Sequence, residues 1–278
     1  MRLRELLEEG TKQLLSHQVP DAKIDASLLL FYICGMDRSA YFMKQDEEAT
    51  PDEICRYRQL IEQRCQRIPL QHLTGEAEFM GLSFEVNKHV LIPRQDTECL
   101  VEEVLQVCKD RTVLDLCTGS GCIAISIAAL GTPSQVSAVD VSRAALQVAE
   151  RNIVKNQVQV ELIESDLFAN CPGRFDILVS NPPYIETEVI DTLMPEVREH
   201  EPMMALDGSP DGLFFYRKII HEAREHLQED GHIFLEIGYN QGEAVCDLLR
   251  EQGFEQIECK KDLGGLDRIV MARVRKGQ

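Results

Sequence analysis

Through the first 70 residues the apolar positions recur at helical spacing. Leu3, Leu6, Leu7, Leu14 and Leu15 share one face of a first predicted helix. Ile24, Leu28 and Leu29 open a second, which Gly35 can cap at its C-terminal end. Asp37 can start a short third. Thr50-Pro-Asp-Glu53 forms a capping box with proline at the first helical position, and Ile54, Tyr57, Ile61, Cys65 and Ile68 follow at helical spacing until Pro69. Residues 76–86 (EAEFMGLSFEV) alternate about Met80-Gly81 and read as a hairpin. His89 to Glu98 is a loop leading into a helix with Leu100, Val101, Val104 and Leu105 on one side.

Beyond residue 110 the pattern changes to strand alternating with helix. The predicted strands are 112–116, 136–140, 160–164, 175–180, 232–237, 254–259 and 268–274, with helices around 121–130, 143–155, 213–227 and 241–252. Such alternation specifies an α/β fold, a mostly parallel sheet covered on both faces. The chain therefore divides into a helical domain (1–75), a β-hairpin linker (76–90) and an α/β domain (91–278).

Composition narrows the function. The 278 residues are 44% apolar and 27% charged, and acids outnumber bases 47 to 29. The helical part holds 10 bases and 12 acids, so 16 of the 18 excess negative charges lie in residues 76–278. That argues against a partner held through nucleic-acid phosphates, which needs a basic surface. Ten cysteines without a Cys-x-x-Cys read as reduced cytosolic thiols. The N-terminus has no signal-peptide pattern. The longest apolar run, Cys122 to Leu130, is nine residues, against the ~20 of a membrane span. A cytoplasmic protein with no membrane partner is expected. The seven histidines form no metal-binding pair, so no metal site is expected.

Two motifs carry chemistry. Val113 to Cys117 is a buried-type strand, and Thr118-Gly119-Ser120-Gly121 follows before a helix; glycines there let a ligand approach the backbone. Asp140 ends the next strand, nineteen residues on, where a carboxylate can accept from ribose hydroxyls. This pair suits a nucleoside cofactor, either a nicotinamide dinucleotide or S-adenosylmethionine. Asn181-Pro182-Pro183-Tyr184 directly follows the strand 175–180. Its prolines fix an extended backbone without N–H groups, leaving carbonyls and the Asn181 side chain as acceptors for a planar NH2 group. Tyr184 adds an aromatic surface.

The Asn-Pro-Pro-Tyr motif resembles that of N-methyltransferases acting on NH2 groups of planar carbon, which favours S-adenosylmethionine as cofactor. Together with VLIPRQDTE, DLCTGSG, SDLF, EPMMALDGSPDGLFFY and DRIVMAR, it makes almost the whole chain similar to the PrmC (HemK) family, the release factor glutamine methyltransferases. The resemblance implies a class I methyltransferase fold with a Rossmann-like seven-stranded sheet and an N-terminal helical bundle for substrate recognition. It implies methylation of the glutamine in the Gly-Gly-Gln motif of class-1 peptide chain release factors. It sets Cys117, Thr118, Gly119, Ser120 and Gly121 against the cofactor's methionine and ribose, Asp140 on the ribose, Asp166 and Leu167 at the adenine, and Asn181 beside both ligands. Asn181, Pro182, Pro183 and Tyr184 would hold the substrate glutamine, with Asn181, Pro182 and Tyr184 catalytic. Arg94 and Thr97 are drawn towards the same site.

Two residues depart from the family: Cys117 stands where glycine is usual, and Leu167 where an aromatic residue is common. A ribosomal-protein glutamine, an exocyclic adenine N6 and a non-catalytic cofactor-binding module remain as alternatives. A monomer is expected. Glu186 to Asp211 carries eight acids and one base, either a solvated face or an acidic lip that steers a basic peptide loop.

Overall fold

The computed structural model describes residues 1–275, which form two compact units: Met1–Gly75 with Met194–His200, and Glu76–Leu193 with Glu201 onward. The first unit contains α1 (Leu3–Ser16), α2 (Ala22–Cys34), α3 (Arg38–Lys44), α4 (Pro51–Cys65) and α5 (Leu70–Thr74). Local signals set their ends. Gly35 caps α2 in the left-handed conformation, Asp37 Oδ1 accepts from Ala40 N at 2.7 Å, and Thr50 and Glu53 close the reciprocal box at the start of α4.

Of the apolar residues that open α2, Leu29 is buried, with Ala22, Ala26, Leu30 and Ile33, while Ile24 and Leu28 are 59% and 43% exposed. The small Ala26 and Gly10 leave room for the Tyr57 ring. Its hydroxyl donates to Ala26 O at 3.1 Å, and a Cβ on Gly10 of α1 would lie 2.2 Å from it. Leu15 is likewise exposed.

The second unit begins with the antiparallel hairpin of β1 (Glu76–Phe79) and β2 (Leu82–Glu85), turned by Met80 and Gly81 at φ 52° and 73°. Then follow α6 (Gln95–Leu105), β3 (Thr112–Leu116), α7 (Cys122–Leu130), β4 (Gln135–Asp140), α8 (Arg143–Asn156), β5 (Glu161–Glu164) and β6 (Phe175–Ser180). The single turns α9 (Thr187–Ile190) and α10 (Pro195–Arg198) come next, α10 belonging to the first unit. Last are α11 (Phe214–His226), β7 (Leu227–Glu236), α12 (Gly242–Glu251), β8 (Phe254–Lys261) and β9 (Asp267–Val274).

The other seven strands form one sheet in the order β5-β4-β3-β6-β7-β9-β8, with β9 antiparallel to both neighbours and the other pairs parallel. Alternate residues of β6 enter two cores: Leu178 packs with Leu116, Tyr216 and Ile219 on one side, and Ile177 and Val179 with Val113, Ile125 and Phe234 on the other. This double burial explains why Ile177, Leu178 and Val179 are apolar in succession. β7 starts five residues before the predicted strand. Leu227 pairs with Phe175, and the polar residues up to Gly231 are taken up by a register shift before His232 pairs with Ile177, with Asp230 at φ 70°.

Strand order reverses about β3 and β6, which are neighbours. A crevice therefore opens at their carboxyl ends.

Candidate active site

The glycine loop leaves β3 and the Asn-Pro-Pro-Tyr segment leaves β6 at matched heights, since Leu116 and Ser180 are register partners. The loop is held from several sides. Thr118 N donates to Val139 O at 2.9 Å, and Gly119 N to Asp140 Oδ2 at 2.8 Å. Asn152 Nδ2 on α8 donates to Ser120 O at 2.9 Å and also to Glu85 O at 3.0 Å, tying the loop to β2. At Gly121 (φ 80°) an added Cβ would meet Ile125 Cδ1 at 2.9 Å and Ala149 Cβ at 3.2 Å, so a side chain is excluded by both conformation and space.

A cavity of about 500 Å³ opens beside the loop, within the range of small-molecule sites. Its walls include Thr97, Cys117, Asp140, Leu167, Asn181 and Pro183. Thr118, Gly119, Ser120, Asp166 and Arg94 also reach it. Gly121 lies one residue further, as the N-cap of α7. Pro182 and Tyr184 are not on the cavity wall: Pro182 is buried, and the Tyr184 hydroxyl donates to Glu236 Oε1 at 3.3 Å.

The two unusual residues share one backbone property. Cys117 has φ 60° and Leu167 has φ 49°, in the region where glycine is at ease. Leu167 is buried and its side chain joins the core with Leu116 and Val139. Burial, with Asp140 and Asp115 nearby, pushes the Cys117 thiol well up, so it stays protonated and is no nucleophile.

Charge at the site is shaped by burial. Asp140 accepts from Ser142 N at 2.8 Å as well as from Gly119, and burial nevertheless raises its carboxyl above the usual range. Asp115, wholly buried under the loop, is pushed up to about 7 by desolvation, against the opposing pull of the Thr118 hydroxyl and Ala124 N–H; its Oδ1 has no hydrogen-bond partner. Glu236 is also raised to about 7 by burial, opposed by the Thr97 hydroxyl and by Arg268.

Several contributing residues carry no sequence signal. Asn152 and Glu236 are ordinary polar residues on a helix and a strand end, and Glu201 sits inside the acidic run. Of the acids in the run 186–211, Glu196, Glu201, Asp207 and Asp211 have hydrogen-bond or ion-pair partners within their own units. Glu201 is nearly fully buried and takes both bonds from Arg94 Nη2, at 2.8 and 2.6 Å. Within the first unit Glu196 accepts from Arg64 and Arg67 at 2.8 and 2.6 Å, beside the buried Arg64–Asp25 pair at 2.7 Å. Asp207 accepts from Thr187 Oγ1 and Ser209 N, and Asp211 pairs with Arg217. Of the two readings of this run, solvated face or acidic lip, the structure adds that Glu196, Glu201 and Asp207 serve as acceptors within their own units, while Glu188, Asp191 and Glu199 are exposed.

The donor set fits S-adenosylmethionine. A strand-end carboxylate, a loop that admits close backbone approach and a cavity of suitable size match a nucleoside joined to an amino acid.

Residues 5–75 match the model of the PrmC N-terminal domain, and residues 95–197 that of the methyltransferase small domain. A release factor glutamine methyltransferase of Clostridium botulinum is 41% identical over 281 aligned residues, covering 98% of this chain and 99% of that protein. The protein of that name from Moorella thermoacetica is 41% identical over 279 residues, covering 98% of each. Among solved structures, a methyltransferase from Pyrococcus furiosus aligns with a TM-score of 0.55 at 18% identity, over 71% of this chain and 91% of that one, a likeness of fold alone.

Proposed function

The chain belongs to the release factor glutamine methyltransferases, and we propose that it transfers a methyl group from S-adenosylmethionine to the side-chain amide nitrogen of the glutamine in the Gly-Gly-Gln motif of class-1 peptide chain release factors. The observation that carries this reading is Asn181 on the wall of the same cavity as the glycine loop and Asp140.

When bound, S-adenosylmethionine supplies an electrophilic methyl on a cationic sulfur. The difficulty lies in the acceptor. An amide nitrogen shares its lone pair with the carbonyl, a conjugation reflected in a rotational barrier of roughly 18–20 kcal/mol. Asn181 Oδ1, on the cavity wall, accepts one N–H of the substrate amide, and the backbone carbonyl of Pro182, whose ring is buried but which joins the wall residue Pro183, accepts the other, so that the lone pair is aimed into the cavity. Both bonds strengthen as the nitrogen gains positive charge, each contributing about 1.5–3 kcal/mol. In-line positioning contributes more, about 7–11 kcal/mol. Gly119, Ser120 and Gly121 admit the cofactor close to the backbone, and Asp140 accepts from its ribose. Asp166 and Leu167 border the adenine end, Pro183 stiffens the frame, and Tyr184 anchors the motif from behind. As the methyl passes from sulfur to nitrogen the sulfur is left as a neutral thioether, and the N-methylated amide cation, a strong acid, releases its surplus proton to water. No dedicated general base and no metal are required, and the same reading sets a monomeric enzyme in the cytoplasm beside its substrate. No described helix is long and apolar enough to cross a membrane.

The test offers labelled S-adenosylmethionine with purified release factor, ribosomal proteins and DNA, and maps the methyl by mass spectrometry. Label on the Gly-Gly-Gln glutamine is expected. Label confined to ribosomal protein or to DNA overturns the reading.

A further inference from the structure

The Asn-Pro-Pro-Tyr segment is held at both of its ends. At the near end Ser180 is a register partner of Leu116 and of Leu235, and its Oγ donates to Leu116 O at 2.7 Å. Asn181 Nδ2 there donates to Thr97 Oγ1 at 3.2 Å. At the far end the segment meets Gln241, the residue that precedes α12 in the turn after β7. Gln241 Nε2 donates to Tyr184 O at 2.9 Å and to Gly212 O at 3.3 Å, while its Oε1 accepts from Gly238 N at 2.9 Å. The side chain is buried, at 6% exposure. The turn 208–212 closes on the same stretch of backbone. A Cβ on Gly212 would lie 2.4 Å from Tyr184 O, and one on Gly208 2.7 Å from Tyr184 Cα.

These three bonds give the Gln241 amide a single direction. Gly238 N only donates, and the carbonyls of Tyr184 and Gly212 only accept. Turning the amide round would set N–H against N–H and oxygen against two oxygens, in a buried place where unmatched polar groups are costly. A carboxylate of the same shape loses both donors, and an apolar chain of similar length loses all three bonds. The consequence for the acceptor segment comes from its prolines, which fix φ at 182 and 183 and leave few free torsions between the two ends. With Ser180 set by the sheet and Tyr184 O set by Gln241, the Pro182 carbonyl has one direction. Without the Gln241 bond the Tyr184–Ile185 peptide can rotate, and the stiff prolines pass that movement back to the Pro182 carbonyl.

We propose that Gln241 is a positioning residue for methyl transfer: by holding the Tyr184 carbonyl it fixes the far end of the acceptor segment, and so the direction of the Pro182 carbonyl that receives the substrate amide. This rests on the release factor reading, and wild-type enzyme is the control that separates the two. No methylated glutamine with wild type sinks that reading, whereas the present one is judged on variants against an active wild type.

The experiment measures single-turnover methylation of full-length release factor by Gln241→Glu and Gln241→Met over a range of release factor concentrations, with S-adenosylhomocysteine affinity by calorimetry. Gln241→Glu keeps the shape and the acceptor for Gly238 N but turns oxygen on the two carbonyls. Gln241→Met only removes the bonds, so it remains informative if the other variant does not fold. The expected saturating rate is about tenfold lower in Gln241→Met and on the order of a hundredfold lower in Gln241→Glu, the size of a small misplacement at a reacting centre. The half-saturating release factor concentration and the cofactor affinity are expected to stay near wild type. A role in bracing the fold alone would instead loosen the cavity, whose wall includes Asp207 beside the same turn, and would cost cofactor affinity. A wild-type rate in Gln241→Met, a faster rate in Gln241→Glu than in Gln241→Met, or a loss of cofactor affinity that matches the loss of rate overturns the proposal.

Discussion

Leu116 and Ser180 pair across β3 and β6 at the last position of each strand, so the glycine loop and Asn181 emerge as neighbours although 60 residues separate them. Cofactor binding and substrate binding are therefore separable by substitution on either side of one sheet edge.

Asn181→Ala removes the side-chain acceptor and leaves the loop after β3 untouched. Turnover on release factor is expected to vanish while S-adenosylhomocysteine binding stays near wild type, read by calorimetry and a labelled-methyl assay. Near-wild-type turnover would refute the acceptor mechanism. Asn181→Asp keeps an oxygen but loses the donor to Thr97, and is expected to be similarly impaired.

Asp140→Ala strips an acceptor from the cavity and unpairs Gly119 N and Ser142 N. Hydrogen bonds to a charged group are worth about 1.5–3 kcal/mol, so cofactor affinity is expected to fall by about ten- to a hundredfold. An unchanged dissociation constant would show that Asp140 only braces the loop.

Cys117→Gly is expected to leave stability unchanged or raise it by up to about 1.5 kcal/mol. Relief of the left-handed backbone (φ 60°), about 1–2 kcal/mol, outweighs the entropic penalty of glycine, roughly 0.5–1 kcal/mol. Urea denaturation tests this, and a loss of several kcal/mol would show that side-chain packing governs the position instead.

The pH dependence of stability follows from Asp115. Its ordinary value is 3.8 and its folded value about 7, so between them the unfolded chain has released a proton that the folded one retains. Its contribution is complete below the lower value and is lost as pH rises through the upper one, at up to about 1.4 kcal/mol per pH unit. Asp115→Asn removes that loss, so the variant is expected to gain on wild type steadily from about pH 4 to about pH 7. Parallel unfolding curves for the two proteins across that window would contradict it.

The motifs were legible because their chemistry is local. Proline pairs, glycines beside a strand and a strand-end aspartate constrain the backbone wherever they occur, and Thr50 with Glu53 caps a helix within one turn. Periodicity places Ile24, Leu28 and Leu29 on α2 but does not say which of them is buried: Leu29 is, while Ile24 and Leu28 are exposed, since burial depends on what the neighbouring helices present. Asn152, Glu201 and Glu236 left no trace, for their partners lie far along the chain: Arg94 is 107 residues from Glu201, and Tyr184 is 52 from Glu236.

The sequence by itself determined the element order, the helical and α/β parts, the glycine loop and the acceptor motif, because each depends on backbone preferences and periodicity over a few residues. Only the tertiary structure decided which way the Asn181 amide faces, that Cys117 takes a glycine's conformation and which acids of the run 186–211 are bonded inward. Those outcomes depend on burial and on hydrogen-bond direction between strands, where removing water from a carboxyl makes the position of every proton matter.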